Sequence, residues 1–143
     1  MQSFVSSSPE FTMDVAAKMS EKLSGGEIIA LKGGLGMGKT CFVKGLAAGL
    51  GFAGEVTSPT FAIVNEYVGG RLSLFHFDMY RVTGWDDLYS TGYFEYTDAG
   101  GVVAVEWSEN IAGALEGENV IEVSIERISD NERKITISGG ADI

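Results

Sequence analysis

The chain has 143 residues, enough for one ordinary domain and too few for two. Apolar residues make up 45%, ten Lys and Arg face twenty Asp and Glu for a net charge of -10, and Cys41 is the single cysteine. These values exclude a disordered polyelectrolyte, an intrachain disulfide and unaided binding to a nucleic acid backbone, which needs clustered cations.

The acidic surface either serves solubility or offers a face to a basic partner. The start, Met1 to Phe4, lacks a basic segment followed by an apolar run, so no signal peptide is expected. No stretch approaches the roughly 18 apolar residues of a membrane span. A cytoplasmic protein acting away from membranes is the expectation.

Ser8-Pro9 opens a first helix with a hydroxyl cap and proline at the first helical position. Phe11, Val15, Met19 and Leu23 follow on one face, and Ser24-Gly25-Gly26 stops the helix. Ile28 to Leu31 is a continuous apolar run, suited to a strand buried on both faces. A glycine-rich turn from Gly33 to Gly38 then leads into a second helix with Phe42, Val43, Leu46 and Leu50, ending near Gly49 to Gly51.

After a loop holding Ser58-Pro59-Thr60, strands are expected at Phe61 to Val68 and Arg71 to Asp78, joined by Gly69-Gly70 as a two-residue turn. Thr83 with Asp86 is expected to cap a short helix through Leu88 and Tyr89. Val102 to Val105 forms a second fully buried strand ending at Glu106-Trp107. The tail alternates, with Ile121, Val123 and Ile125, then Ile135 and Ile137 after the polar turn Ser129 to Glu132, which predicts a closing hairpin. No repeat, low-complexity segment or linker interrupts the chain. The expected fold is α/β, a single P-loop NTPase domain over residues 1–143, with a mainly parallel central sheet flanked by helices and with antiparallel hairpins.

The strongest motif is Gly33-Gly34-Leu35-Gly36-Met37-Gly38-Lys39-Thr40, which matches G-x-x-x-x-G-K-[ST] between a strand and a helix. Glycines let successive backbone N–H groups turn onto phosphate oxygens, and the helix that follows adds unpaired N–H groups and a positive dipole end. Gly33, Leu35, Gly36, Met37, Gly38, Lys39 and Thr40 are therefore candidate nucleotide contacts. Lys39 is expected to reach the β- and γ-phosphates, and the Thr40 hydroxyl to bind Mg²⁺. Arg133 is carried as a further candidate contact.

Such a site also needs a carboxylate at the end of a neighbouring buried strand. Glu106 and Asp78 both qualify, one as ion ligand and one orienting the attacking water. The alternatives are an exposed strand end for Glu106 and a turn residue for Asp78. Alternation places Leu74, His76 and Asp78 on one face of their strand. His76, the only histidine, is expected to pack near the site rather than act as a base. Cys41, in the first turn of the second helix, is expected to fill a small apolar place despite a position that favours thiolate.

Taken together, the P-loop, Ser58-Pro59-Thr60-Phe61, His76-Phe77-Asp78-Met79-Tyr80-Arg81 and Val105-Glu106-Trp107 resemble the TsaE (YjeE) family, in the same order along nearly the whole chain. These are bacterial ATPases needed to make threonylcarbamoyladenosine in tRNA. The resemblance implies that Thr40 and Glu106 hold Mg²⁺ and that Asp78 serves hydrolysis, with Lys39 beside it. It further implies that Ser58-Pro59-Thr60 is a nucleotide-sensitive switch and that Trp107 sits beside bound ATP. It also implies two protein partners, TsaB and TsaD, which carry out the transfer to tRNA, so that tRNA is met only through the complex. The sequence departs from the family pattern at Gly34, where an acidic residue is usual, and at Met37, Cys41 and Met79. None of these removes a phosphate or metal ligand.

Other classes fit less well. A small-molecule kinase usually closes arginines over its phosphates, and Arg71, Arg81, Arg127 and Arg133 do not cluster in sequence. Asp98-Ala99-Gly100-Gly101 fits D-x-x-G of a GTPase, but no Asn-Lys-x-Asp is present to read guanine. A nucleotide-gated binding module with incidental hydrolysis overlaps with the family's role of pacing partners.

Overall fold

The computed structural model describes residues 1–33, 38–54 and 64–140. Gly34, Leu35, Gly36 and Met37 of the P-loop, the Ser58-Pro59-Thr60-Phe61 segment and the expected strand start at 61–63 lie outside the described residues.

Among the described residues seven strands form one sheet: β1 (Gln2–Ser6), β2 (Ile28–Lys32), β3 (Val64–Tyr67), β4 (Leu74–Asp78), β5 (Val102–Glu106), β6 (Val120–Arg127) and β7 (Arg133–Ser138). Their order is β1-β7-β6-β2-β5-β4-β3. The central pairings β6–β2, β2–β5 and β5–β4 are parallel, and the outer pairings β1–β7, β7–β6 and β4–β3 are antiparallel. This is the expected α/β sheet: a parallel centre with antiparallel hairpins at both edges. β2 and β5 are apolar almost throughout because helices cover both of their faces. β6 alternates, since its second face is solvated.

Helices α1 (Pro9–Ser20) and α2 (Lys39–Gly49) cover one face, packing Val15, Met19, Phe42, Val43 and Leu46 against Ile29, Leu31, Leu74, Val102, Ala104 and Val123. The short helices α3 (Trp85–Ser90) and α4 (Tyr93–Thr97) cover the other face, together with a 3-10 turn at Ser108–Ile111. There Leu88, Tyr93 and Ile111 meet Ile28, Phe75, Phe77, Val103 and Val105. A last helical turn, α5 (Ala112–Leu115), precedes β6. Among the described residues no helix is long and apolar enough to cross a membrane.

Ser8 caps α1 as expected, its Oγ accepting from Phe11 N at 3.1 Å, with Pro9 in the first turn. Phe11 itself is 41% exposed, so the buried stripe runs through Thr12, Val15, Ala16 and Met19 instead. The glycine stop after α1 is secured by Glu27, whose buried carboxylate accepts from Ser24 N and Gly25 N at 2.8 and 2.7 Å.

Three local expectations are corrected. The β3–β4 turn is not two residues long: Tyr67 pairs with Leu74, so the connection spans 68–73. Its tip docks on the helices. Arg71 donates to Ser20 O and Leu23 O at 2.8 and 3.0 Å and its N–H to Leu50 O at 2.6 Å, and this outweighs the Gly-Gly turn preference. Thr83 pairs with Asp87 rather than Asp86, through both its N–H (3.0 Å) and its hydroxyl (2.6 Å). β1 and α4, absent from the sequence expectations, are real elements. β1 completes the sheet edge beside β7, and Ser6 ties it to α1 by a buried hydroxyl contact with Thr12 at 2.7 Å.

Candidate functional site

The parallel strands deliver their carboxyl ends to the first turn of α2, the usual place for a ligand in an open α/β sheet. Gly38, the residue before α2, has φ 98°, a left-handed conformation that glycine adopts without a Cβ penalty. Unlike α1, α2 has no side-chain cap among the described residues and no acid in its first turn. Its first N–H groups and positive dipole end are therefore suited to an anion. Gly33, with φ 144°, directly follows β2.

Lys39 is not a surface lysine. It is 8% exposed, and its Nζ lies 3.4 Å from Glu106 Oε1 and 5.8 Å from the centre of the Trp107 ring. Glu106 closes β5, and its other oxygen, Oε2, lies 2.7 Å from Nε2 of His76. His76 sits in the middle of β4 with no exposed surface. Burial pushes the Glu106 carboxyl pKa up. The hydrogen bond and electrostatic pull of His76, then those of Lys39, outweigh burial and hold it below the ordinary carboxylate value. Glu106 is thus an ionised, largely buried acceptor rather than an exposed strand end.

Asp78 ends β4 and stands directly opposite Glu106 in the β4–β5 register. Its Oδ1 accepts from Tyr80 N at 2.9 Å, so it is also the turn residue of the alternative reading. The turn holds one oxygen, and Oδ2 has no hydrogen-bond partner among the described residues.

Trp107 follows Glu106 with φ 59°, the one positive φ at a non-glycine position among the described residues. Holding a tryptophan there costs about 1–2 kcal/mol. The twist ends the strand and brings the indole to Lys39 and to the exposed ring of Tyr80, 5.0 Å away. Sequence reasoning did not single out Asn110, whose Nδ2 donates to the carbonyls of Met79 and Tyr80 at 2.9 and 3.3 Å and fixes the segment after Asp78. No motif marks it, since its partners are backbone atoms of a distant strand end.

Arg133 lies apart from Lys39 and Glu106. Its guanidinium donates to Ser129 O and Glu132 O at 2.8 and 3.0 Å, within the β6–β7 turn. It nevertheless lines a groove of about 350 Å³ with Gly38, Cys41, Pro9, Thr12 and Asn131, which joins it to the head of α2. Cys41 is half-buried in the wall of that groove rather than in the core. A smaller cavity of about 170 Å³, lined by Met19, Leu23, Glu27 and Asn119, lies at the amino ends of the parallel strands, away from this chemistry.

Thr40 and Glu106 offer hard oxygen donors of the kind Mg²⁺ takes. Thr40 is adjacent in sequence to Lys39, the side chain that Glu106 contacts. Among the described residues no three His, Cys, Asp or Glu side chains gather as a metal cluster, so an ion here would rely on substrate oxygens and water as well. The donors present fit that ion.

Residues 6–135 match the family described as threonylcarbamoyl adenosine biosynthesis protein TsaE. The chain is 40% identical over 134 residues to the tRNA threonylcarbamoyladenosine biosynthesis protein TsaE of Treponema pallidum, covering 94% of this chain and 98% of the relative. It is 41% identical over 130 residues to the protein of the same name from Bacillus subtilis, covering 91% and 80%. The fold superposes on the crystal structure of Bacillus subtilis YdiB with a TM-score of 0.77 at 36% identity, covering 98% of this chain and 86% of that one.

Proposed function

Because the chain belongs to the TsaE family, we propose that it is the ATP-binding and ATP-hydrolysing component of threonylcarbamoyladenosine synthesis on tRNA. The observation that carries this reading is the ionised Glu106 at the end of β5, 3.4 Å from the P-loop lysine at the head of α2.

ATP would lie along the head of α2, its phosphates on the N–H groups of the P-loop and on Lys39. The nucleoside would extend into the groove between Gly38, Pro9 and Arg133. Thr40 and Glu106 would hold Mg²⁺, which would supply positive charge to the nucleotide's phosphates. Lys39 binds and orients the γ-phosphate, with the Trp107 ring 5.8 Å from its ammonium. Asp78, with one oxygen committed to Tyr80 N, uses the other to orient the attacking water.

The partners are TsaB and TsaD, and ATP turnover resets their complex between rounds in the cytoplasm. This chain, with a net charge of -10, leaves tRNA to them. A small-molecule kinase, which closes several arginines over its phosphates, is disfavoured: Arg71 is committed to Ser20 O and Leu23 O, and Arg127 and Arg133 to the β6–β7 turn, which leaves Arg81 of the four. The test is ATP hydrolysis by the pure chain with and without TsaB and TsaD. Stimulation by the pair together with Mg²⁺ dependence is expected, and phosphoryl transfer to a small molecule with no response to the pair would overturn the assignment.

A further inference from the structure

The two oxygens of Glu106 have different neighbours. Oε1 is turned toward Lys39 at the head of α2, and Oε2 toward His76 inside the sheet. A glutamate side chain has three rotatable bonds, so its carboxylate presents a fixed oxygen only if something holds it. An ionised carboxylate only accepts, so Nε2 of His76 carries the proton and donates.

His76 is well placed to hold its partner still. It pairs with Asn65 on one side and Ala104 on the other, in the middle of β4, and has no exposed surface. Its second nitrogen, Nδ1, is buried without a hydrogen-bond partner among the described residues. Packing alone would not favour a nitrogen there, since an all-carbon ring would leave no buried polar atom unpaired. Burial also separates the imidazole from proton transfer at a phosphate or a water.

We infer that His76 is the positioning residue of Glu106: its Nε2–H pins Oε2 and leaves Oε1 as the oxygen that Glu106 presents to the ion. The inference rests on the reading of Glu106 as an ion ligand. It adds that the ligand's aim is set from a neighbouring strand, by a residue that touches neither nucleotide nor ion. Loss of such a partner behind a metal ligand typically weakens the ion about 10–100-fold.

The test uses the full chain, with Mn²⁺ in place of Mg²⁺ so that ion binding in the presence of ADP is read by electron paramagnetic resonance. His76→Phe should weaken Mn²⁺ about 10–100-fold, with metal-free ADP affinity held within about twofold. His76→Gln, which returns an N–H donor near the position of Nε2, should recover most of the loss. If Glu106→Gln leaves Mn²⁺ affinity unchanged, the ligand reading falls and the inference falls with it. If Glu106→Gln loses the ion while a folded His76→Phe keeps it, the inference alone falls. Because His76 is the only histidine, the protein that keeps it gives a readout independent of whether the His76 variants fold. Its ring ¹⁵N spectrum should show a protected Nε2 proton that moves on Glu106→Gln and on addition of Mg²⁺ with ADP, and an Nε2 signal indifferent to both overturns the inference.

Discussion

Asp78 and Glu106 are opposed residues at the ends of two adjacent parallel strands, yet the two carboxylates live in different surroundings. Glu106 is turned inward, held by His76 and Lys39, and is 8% exposed. Asp78 is only half-buried and caps its own turn through Tyr80 N. Two carboxylates paired across one register are thus distinguished by their hydrogen bonds rather than by their side-chain type.

Lys39→Met should fold and lose ATP. The methionine fills the volume left under Trp107, but nothing replaces the charge-assisted contacts to phosphate, which are worth about 1.5–3 kcal/mol. A fall in ATP affinity of roughly tenfold to a hundredfold is expected by titration calorimetry. Affinity unchanged from the parent protein would remove Lys39 from the phosphate site.

Tyr93→Phe should stabilise the protein. Tyr93 is 1% exposed and its hydroxyl has no hydrogen-bond partner among the described residues, so deleting the oxygen should yield about 1 kcal/mol. Burial, with a smaller push from Glu118, raises the phenol pKa from 10.0 to about 12. The folded state thus keeps its proton where the unfolded state loses it. This contribution is whole below pH 10.0 and is lost as pH climbs toward about 12. Urea midpoints at about pH 8 and at about pH 10.5 should show the variant ahead at both and by more at the higher pH. A less stable variant at pH 8 would mean that the hydroxyl is satisfied.

What the sequence makes legible is what short-range chemistry decides. Ser8-Pro9 dictates the start of α1, the apolar run Ile28 to Leu31 the central strand, and the P-loop pattern the head of α2. Alternation along β4 correctly groups Leu74 with the α1–α2 side and separates it from Phe75 and Phe77. It does not show that His76 reaches Glu106, because the register between β4 and β5 is set by pairing between segments 30 residues apart. The β3–β4 turn fails for the same reason: Gly69-Gly70 favours a tight hairpin locally, but Arg71 finds the carbonyl end of α1. Nor does any pattern predict that Lys39 is buried, since its partners Glu106 and Trp107 come from β5 and the residue after it.

Gly45 tests the seating of α2. A Cβ there would fall inside contact distance of the Met13 carbonyl oxygen and 2.7 Å from the Ala16 Cβ, so α1 and α2 touch nearly backbone to backbone. Gly45→Ala gains about 1 kcal/mol of helix propensity but must part the two helices. A net loss of about 1–3 kcal/mol is expected, measured by urea denaturation. Gly38, by contrast, has open space around a built Cβ, and substitution there is opposed by its φ of 98° alone. A stabilised Gly45→Ala would show that α1 can retreat at no cost.

Asp78→Asn separates binding from chemistry. Asparagine is nearly isosteric, and its side-chain oxygen can still accept from Tyr80 N, so the turn after β4 should survive. Glu106, His76 and Lys39 are untouched, so the affinity for ATP with Mg²⁺ should stay close to that of the parent. What disappears is the negative charge available to orient and polarise water beside the γ-phosphate. Turnover should fall by about a hundredfold or more with the Michaelis constant little changed, the signature of an interaction made at the transition state. Asp78→Ala should lose turnover equally and stability as well, since it also deletes the acceptor for Tyr80 N. Steady-state kinetics with nucleotide titrations on both variants decide the matter. Should Asp78→Asn lose affinity for ATP with Mg²⁺ while its residual turnover stays normal, the ion belongs to Asp78, and Glu106 takes the role of orienting water.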